Sequence, residues 1–388
     1  MIRTFEELAS PAAGLARHHV LVALRDGGPA SRAQLARRTG LAPPTITGVV
    51  RRLLADGVVL EAGPGADAPR TGPRGTNLVI NPDLVYVLGI EAGFRALRVL
   101  VCDASGAVRG ESRTRLGLDQ TAAEALPVIR ALVADALARA EVEPERVVGA
   151  GVAVRGPVDN ARRQVSGSGE VGGWAGLTAA EIEDVIGYPV HLENDANLAA
   201  LGEHTFGAGR DLRDSLTVKF HSGIGLGVIV HDGLVTGVHG GAGEIGHTPV
   251  DPRGPLCRCG KRGCLDTVAA VPAVIAAAVP RYGRLSLSDL LGKLDEGDTG
   301  ITRLVQDAAA LVGQALANAT LLLAPEKVIV VGAMARAGEA VLAPIRQAID
   351  REALPGTGAR PEVVLGELGD RCTPLGAAAL ALRRTSWR

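Results

Sequence analysis

The stretch HTPVDPRGPLCRCGKRGCLD, residues 247–266, gathers three of the chain's five cysteines within eight positions, ten residues after a histidine. Cys257, Cys259 and Cys264 with His247 offer three soft thiolates and one imidazole, the donor set of a tetrahedral Zn(II) site. All four ligands would come from the protein, so the ion would be structural, with no coordination place for an activated water. Gly254, Gly260 and Gly263, with Pro252 and Pro255, suit a loop folded tightly around an ion. The competing reading is a loop of free thiols open to redox chemistry. Cys102 and Cys372 fall on apolar segments and read as plain buried residues.

Beside that loop, GAGEIGH (241–247) sets Glu244 three residues before His247, so on a helical turn the two share a face. With one ring nitrogen given to zinc, the other is oriented and available to a ligand. In HLENDANLAALGE (191–203), Asn194 and Asp195 fall where a strand gives way to a helix. An Asp there meets the positive end of the helix dipole and can accept from a ligand hydroxyl. Simple N-capping would account for one of the pair. KFHSGIGLGVIV places Gly223, Gly225 and Gly227 between strands, a shape able to wrap phosphate with backbone amides, although tight hairpins need glycine too.

Two kinds of element must position these residues. From Leu84 onward, VYVLGIEAG and ALRVLVCDASGAV read as strands joined by a short connection, residues 121–140 as an Ala-rich helix, and RVVGAGVAV as a buried strand. A second round begins at Leu216 with LTVKF and LGVIVHDG, followed by a long Ala/Leu helix over 301–323 and the strand KVIVVG. The repetition predicts two related α/β lobes with a cleft between them. Upstream the pattern is helical. Leu15 to Leu24 carries apolar residues at helical spacing and Gly27-Gly28-Pro29 stops it. Ser31 and Gln34 form a capping box for a short helix ending near Thr39. After a turn at Gly40-Leu41, Pro43 and Pro44 suit the first turn of a second helix running to Asp56-Gly57, and VVLEAG reads as a strand. Two short helices on a Gly turn followed by a strand predict a winged helix-turn-helix, with an αα-hairpin used only for packing as the alternative.

Charge supports the first reading. Residues 1–80 hold ten Arg, no Lys and six acidic residues, a net +4, whereas the remainder is −5. The second helix offers Thr45, Thr47, Gly48, Arg51 and Arg52 on its exposed positions, all compatible with a groove. Residues 62–77, rich in Gly and Pro with Arg70 and Arg74, read as a wing tip running into a connector. Those arginines would lie along phosphates, or the stretch is a bare linker. The composition is 47% apolar and only 2% aromatic, so Ala, Val and Leu must build the core. The longest apolar run, Val268 to Val279, is short for a membrane span and contains Pro272, and the N-terminus lacks the apolar core of a signal peptide. An odd cysteine count in a long chain argues against a disulfide scaffold. A cytoplasmic protein is expected.

Together, the helix-turn-helix and the motifs GVAVRGPVD, ENDANLAALGE, SGIGLGVIV, GAGEIGH and CRCGKRGCLD resemble the ROK family of repressors, open reading frames and kinases, over essentially the whole chain. The match is to the regulator branch that includes the xylose and N-acetylglucosamine repressors. The resemblance implies an actin-like, hexokinase-like fold, and the sequence pattern divides the chain into a winged helix over 1–80, a first lobe over 81–200 and a second over 201–388. It implies His247, Cys257, Cys259 and Cys264 as zinc ligands, and Asn194, Asp195, Glu244, His247 and Asp266 as sugar-binding residues. Asp266 replaces the usual Glu, one methylene longer, so its hydroxyl contact would be longer, water-mediated or lost. Asp195 stands at the position of the kinase general base.

Departures from the kinase pattern weigh against phosphoryl transfer. Where kinases of the family carry Asp-x-Gly-Gly-Thr-Lys, this chain reads EAGFRAL, with Glu91, Phe94 and Arg95 at altered positions, and HSGIG stands where Gly-Thr-Gly-x-Gly is favoured. Phosphoryl transfer depends on seating the phosphates and their Mg(II), which these bulky residues would obstruct. The expected function is therefore a sugar-responsive transcriptional regulator, a homo-oligomer that docks on a double-stranded operator through Thr45, Thr47 and Arg51 toward bases and Arg52, Arg70 and Arg74 toward phosphates. An ATP-dependent sugar kinase is the alternative, and a zinc-sensing regulator the third.

Overall fold

The computed structural model describes residues 3–4, 14–62, 76–93, 96–115, 120–167, 172–353, 360–384 and 386–387. The N-terminal region folds as three helices and a two-stranded wing: α1 (Leu15–Gly27), α2 (Arg32–Thr39), α3 (Pro43–Ala55), β1 (Val59–Ala62) and β2 (Asn77–Ile80). The capping box at Ser31 is formed, with Gln34 N–H donating to the Ser31 hydroxyl and Ser31 N–H donating to the Gln34 side chain. Gly40 stops α2 in the left-handed conformation, and Pro43 and Pro44 open α3, where the missing N–H groups cost nothing. Antiparallel β1 and β2 pair Val59 with Ile80 and Ala62 with Asn77, and Leu78 also bridges to Ala30.

The rest of the described chain builds two five-stranded sheets, with two-residue pairings of Arg3–Thr4 on Ser386–Trp387 and of Val158–Asp159 on Gln164–Val165 beside them. The first uses β3 (Tyr86–Ala92), β4 (Ala96–Asp103), β5 (Val108–Arg115), β6 (Val147–Val154) and β7 (Val190–Asn194), in the order β7-β6-β3-β4-β5. The second uses β8 (Ser215–Phe220), β9 (Ile224–Val230), β10 (Gly233–Leu234), β11 (Lys327–Val331) and β12 (Glu362–Leu365), in the order β10-β9-β8-β11-β12. In both, the first strand is central, an antiparallel meander lies to one side and parallel strands to the other. The duplication read from the sequence is thus a duplication of topology. Helices α4 (Ala122–Ala140) and α5 (Ala179–Ile186) cover the first sheet, and α7 (Leu265–Ala269), α8 (Val271–Tyr282), α9 (Leu287–Asp295), α10 (Thr299–Leu323) and α11 (Glu339–Glu352) serve the second. By length and composition Leu265–Tyr282 could cross a membrane, but the helix breaks at Ala270 and its apolar residues Leu265, Ala269, Val271, Val274 and Ala278 are buried in the second core.

Two further helices lie between the sheets. The helix α6 (Asp195–Phe206) packs on β8 and β9 of the second sheet, and α12 (Cys372–Arg384) packs on β3 and β6 of the first. The sequence pattern assigned 201–388 to the second lobe; α12, at the end of that span, packs instead on the first sheet and on α6. Glycines make this possible. A Cβ on Gly151 would run into the Ala377 carbonyl, one on Gly89 into the Pro374 carbonyl, and one on Gly225 would stand 2.6 Å from the Ala196 Cβ. Gly225 and Gly227, read as candidates for a phosphate-wrapping turn, lie in β9 and seat α6 on the strand.

Candidate functional site

The cysteine loop is tied by short-range bonds. Cys257 N–H donates to the Lys261 carbonyl at 2.7 Å and Gly263 N–H to the Pro255 carbonyl at 2.8 Å, with bridges between Leu256 and Arg262 and between Pro249 and Cys264. Gly263 takes φ +63° against the Asp251 carbonyl, a site that no side chain could share. The result brings the His247 nitrogen and the three sulfurs within 4.8 Å of one another. Cys257 Sγ lies 3.5 Å from His247 Nδ1 and Cys259 Sγ 3.6 Å from Cys264 Sγ. Tetrahedral zinc with bonds of about 2.3 Å to sulfur and 2.0–2.1 Å to nitrogen sets edges of about 3.8 Å between sulfurs and about 3.6 Å between sulfur and nitrogen. The four side chains therefore fit a metal ion. Burial pushes the Cys264 thiol up to about 12, so a metal there must draw off a proton that the thiol otherwise keeps.

With Nδ1 turned to the sulfurs, His247 Nε2 faces Glu244, 3.8 Å from its Oε2. His247 ends a short 3-10 turn, Ile245–His247, and Glu244 stands just ahead of it. Asp266 lies beneath this turn in α7. Its Oδ1 accepts from Ile224 N–H at 2.7 Å, and its carboxylate stands close to where Cβ atoms on Gly223 and Gly246 would be. The loop thus carries the cysteine cluster on one side of His247 and the Glu244 and Asp266 carboxylates on the other.

Across the cleft, Asn194 caps α6. Its Oδ1 accepts from Ala196 and Asn197 N–H, and its Nδ2 donates to the Gly156 carbonyl at 3.0 Å. Capping therefore accounts for its oxygen, leaving one amide hydrogen. Behind it Glu193, 1% exposed, is bonded by Asn160, Asn197 and the Asn194 N–H. Asp195, the first helical residue, turns its Oδ2 to Lys219 Nζ at 2.9 Å. The same ammonium reaches Glu91 Oε1 at 3.3 Å and Thr373 Oγ1 at 3.1 Å.

A scan by protein-family models matches the ROK family over residues 87–384. The chain belongs to the ROK family. Its N-terminal residues 15–60 match the MarR family. Among curated ROK relatives, the xylose repressor of Bacillus subtilis strain 168 is 27% identical, the match covering 91% of each chain. The transcriptional dual regulator NagC of Escherichia coli K12 is 30% identical over 92% of this chain and 89% of its own. In structure, a ROK-family transcriptional regulator described as a homologue of the E. coli MLC protein superposes with TM-score 0.72 at 25% identity, covering 93% of this chain and 94% of that one. A ROK glucokinase from Streptomyces griseus, in complex with glucose and AMPPNP, superposes at TM-score 0.66 and 30% identity over 76% of this chain and 98% of its own.

Of the site residues expected for this ROK chain, Asn194 and Asp195 meet at the start of α6, and Glu244, His247 and Asp266 meet at the cysteine loop. Thr45, Thr47, Arg51 and Arg52 are all exposed on α3, and the Thr47 hydroxyl donates to the Pro43 carbonyl. Arg70, Arg74, Phe94 and Arg95 lie outside the described residues. Sequence reasoning missed two pairings. One is Lys219, whose signal was available: a lysine inside the otherwise apolar strand LTVKF must find a partner if buried. The other is His239 Nδ1, 3.0 Å from Asp159 Oδ2, which joins the two lobes and holds the Asp159 carboxyl below its usual range. His239 lies in a glycine-rich loop with no periodic pattern to place it.

Proposed function

We propose that the chain is a sugar-responsive, DNA-binding transcriptional regulator that represses genes of carbohydrate metabolism. The observation that carries this reading is a continuous line of packing from cleft to head. One hydrophobic cluster contains Val20, Leu21, Leu35, Ile46, Val50 and Leu53 of the helix-turn-helix together with Leu375, Ala378, Ala381 and Leu382 of α12. The other end of α12 carries Thr373, bonded to Lys219 at the floor of the cleft. The similarity to a xylose repressor and to a DNA-binding transcriptional dual regulator over about nine-tenths of their length supports the same reading.

In this reading Asn194, Asp195, Glu244, His247 and Asp266 bind sugar hydroxyls. Asp195 keeps Oδ1 for a hydroxyl while Lys219 holds Oδ2, and Asp266 contributes through its carboxylate. His247, Cys257, Cys259 and Cys264 hold a structural Zn(II) that fixes the ring so that Nε2 and Glu244 face the ligand. Zinc here orients and does not react. Thr45, Thr47 and Arg51 read bases, and Arg52, with Arg70 and Arg74 on the wing, binds phosphates. Two copies form a homodimer whose recognition helices must lie about 34–36 Å apart to dock in successive major grooves. Sugar binding shifts the lobes, and with them the spacing. A coupling of about 1–3 kcal/mol changes operator affinity roughly five- to 150-fold.

The likeness to a ROK glucokinase favours sugar kinase as a second reading. Against it stands the stretch EAGFRAL, which puts Glu91, Phe94 and Arg95 where kinases of the family carry Asp-x-Gly-Gly-Thr-Lys to seat the phosphates and their Mg(II). Fluorescence anisotropy on DNA upstream of the chain's own gene, with a panel of sugars and sugar phosphates, tests both. Tight, salt-sensitive binding that one sugar shifts about tenfold is the expected result. DNA indifference at low salt together with sugar-dependent ATP turnover would replace it with the kinase.

A further inference from the structure

Strand β8 is buried along Ser215–Val218 and at Phe220, and Lys219 interrupts it with a side chain only 12% exposed. The ammonium has three N–H donors, and three acceptors surround it: Glu91 Oε1, Asp195 Oδ2 and Thr373 Oγ1. These acceptors come from β3, from the first turn of α6 and from the first turn of α12, so they converge only in the folded two-lobed body. Two carboxylates and a hydroxyl aimed at one point are the hard oxygen donors that divalent cations take. Without a cation there, two like charges would face each other at a poorly solvated spot. Burial alone would favour the neutral amine, but Asp195 and Glu91 outweigh it and raise the Lys219 pKa, so the charge persists.

We propose that Lys219 is a built-in cation: its ammonium fills the place that Glu91, Asp195 and Thr373 would otherwise offer to a divalent metal ion, and so positions Asp195 for the sugar without metal or nucleotide. The proposal deepens the non-catalytic reading of the cleft. A covalently attached ammonium cannot be diluted away, so a metal–nucleotide complex would have to displace it by breaking three hydrogen bonds. Asp195 is thereby fixed with one oxygen inward and one toward the ligand, whatever the cellular Mg(II) level. Lys219 acts through Asp195 and is a positioning residue.

The test is Mn(II) binding to the zinc-loaded full chain, followed by loss of the free-ion electron paramagnetic resonance signal. The wild type and Lys219→Arg, which keeps the charge, should leave the signal unchanged. Lys219→Met should take up one Mn(II) per chain, and Mn(II) should raise its melting temperature. Glu91→Gln in the Lys219→Met background restores the cluster's net charge with one carboxylate fewer, and should fold without binding Mn(II). A Lys219→Met chain that remains blind to Mn(II), folded or not, overturns the proposal, as does a wild type that binds Mn(II) in a manner abolished by Asp195→Asn. No DNA or sugar enters the assay, so its failure leaves the regulator reading intact, and operator binding by the wild type tests that reading separately.

Discussion

The two lobes repeat one sheet order and differ at equivalent places. In each sheet the central strand comes first in sequence, and in each its penultimate residue points a charge into the space between the sheets: Glu91 on β3 and Lys219 on β8. Duplicated scaffolds bring equivalent strand ends together, so a change of one residue in one copy decides what the junction can hold. Here opposite charges meet, and Asp195 shares the same ammonium. The packing of the central helices is likewise repeated but unequal. Gly89 and Gly151 let backbone carbonyls of α12 sit on the first sheet, whereas on the second Gly225 meets the Ala196 methyl of α6 and Gly227 both the Ala200 methyl and the Ala196 carbonyl. The third difference is local chemistry, since among the described residues the His/Cys cluster lies in the second lobe.

Breaking the asymmetry at the metal loop should have the largest effect. Cys264→Ser is expected to reduce zinc from one equivalent per chain to none and to abolish sugar binding, measured by metal analysis and titration calorimetry. Retained sugar affinity in a zinc-free variant would detach the loop from the site. Next come the two charges. Lys219→Met strands two carboxylates and should cost about 3–5 kcal/mol in denaturant unfolding, while Glu91→Gln leaves the Asp195 pair and should cost about 1–2 kcal/mol. Equal effects would mean that the strand ends are not the unequal pair described above. The glycines sharpen the comparison further. Gly151→Ala must push a backbone carbonyl and should cost about 3 kcal/mol, whereas Gly225→Ala must shift α6 through the fixed Ala196 methyl and should cost about 2 kcal/mol.

Two smaller effects separate head from body. Arg51→Ala should weaken operator binding by about 1–3 kcal/mol in an anisotropy titration and leave sugar affinity unchanged. In the first lobe, burial first, then Arg384 and Arg163, depress the His191 pKa to about 4. The unfolded chain takes up that proton near pH 6.5 while the folded one does not, so stability should fall as the pH drops from 6.5 toward 4. With partial exposure allowed for, the loss is roughly 1–2 kcal/mol, and His191→Gln should flatten it in pH-dependent melts.

Much of this was legible in the sequence. The capping box at Ser31, the prolines opening α3 and the cysteine spacing are local signals, written within a few residues and enforced by backbone chemistry. Strand–strand–helix–strand repetition gave the two lobes because periodicity reports which faces are buried. Periodicity does not report against what. The apolar, Ala-rich α12 reads the same whether it packs on its own lobe or the other, so its place on the first sheet emerged only in three dimensions. Glycines were ambiguous for the same reason: Gly225 and Gly227 fit a phosphate turn and a helix seat equally well until Ala196 and Ala200 were placed beneath them. The Lys219 cluster draws on residues 91, 195, 219 and 373, separations no motif can encode.

The shared cluster of the helix-turn-helix and α12 has a consequence for how such proteins can be rebuilt. A head whose Leu21, Leu24 and Val50 share a core with Val87, Leu100, Cys102, Leu375 and Leu382 is not a cartridge. Transplanted onto a foreign body, it would bare its own underside and leave a greasy socket behind. A head exchanged with that of a relative should therefore melt closest to the parent chain when β3, β4 and α12 travel with it.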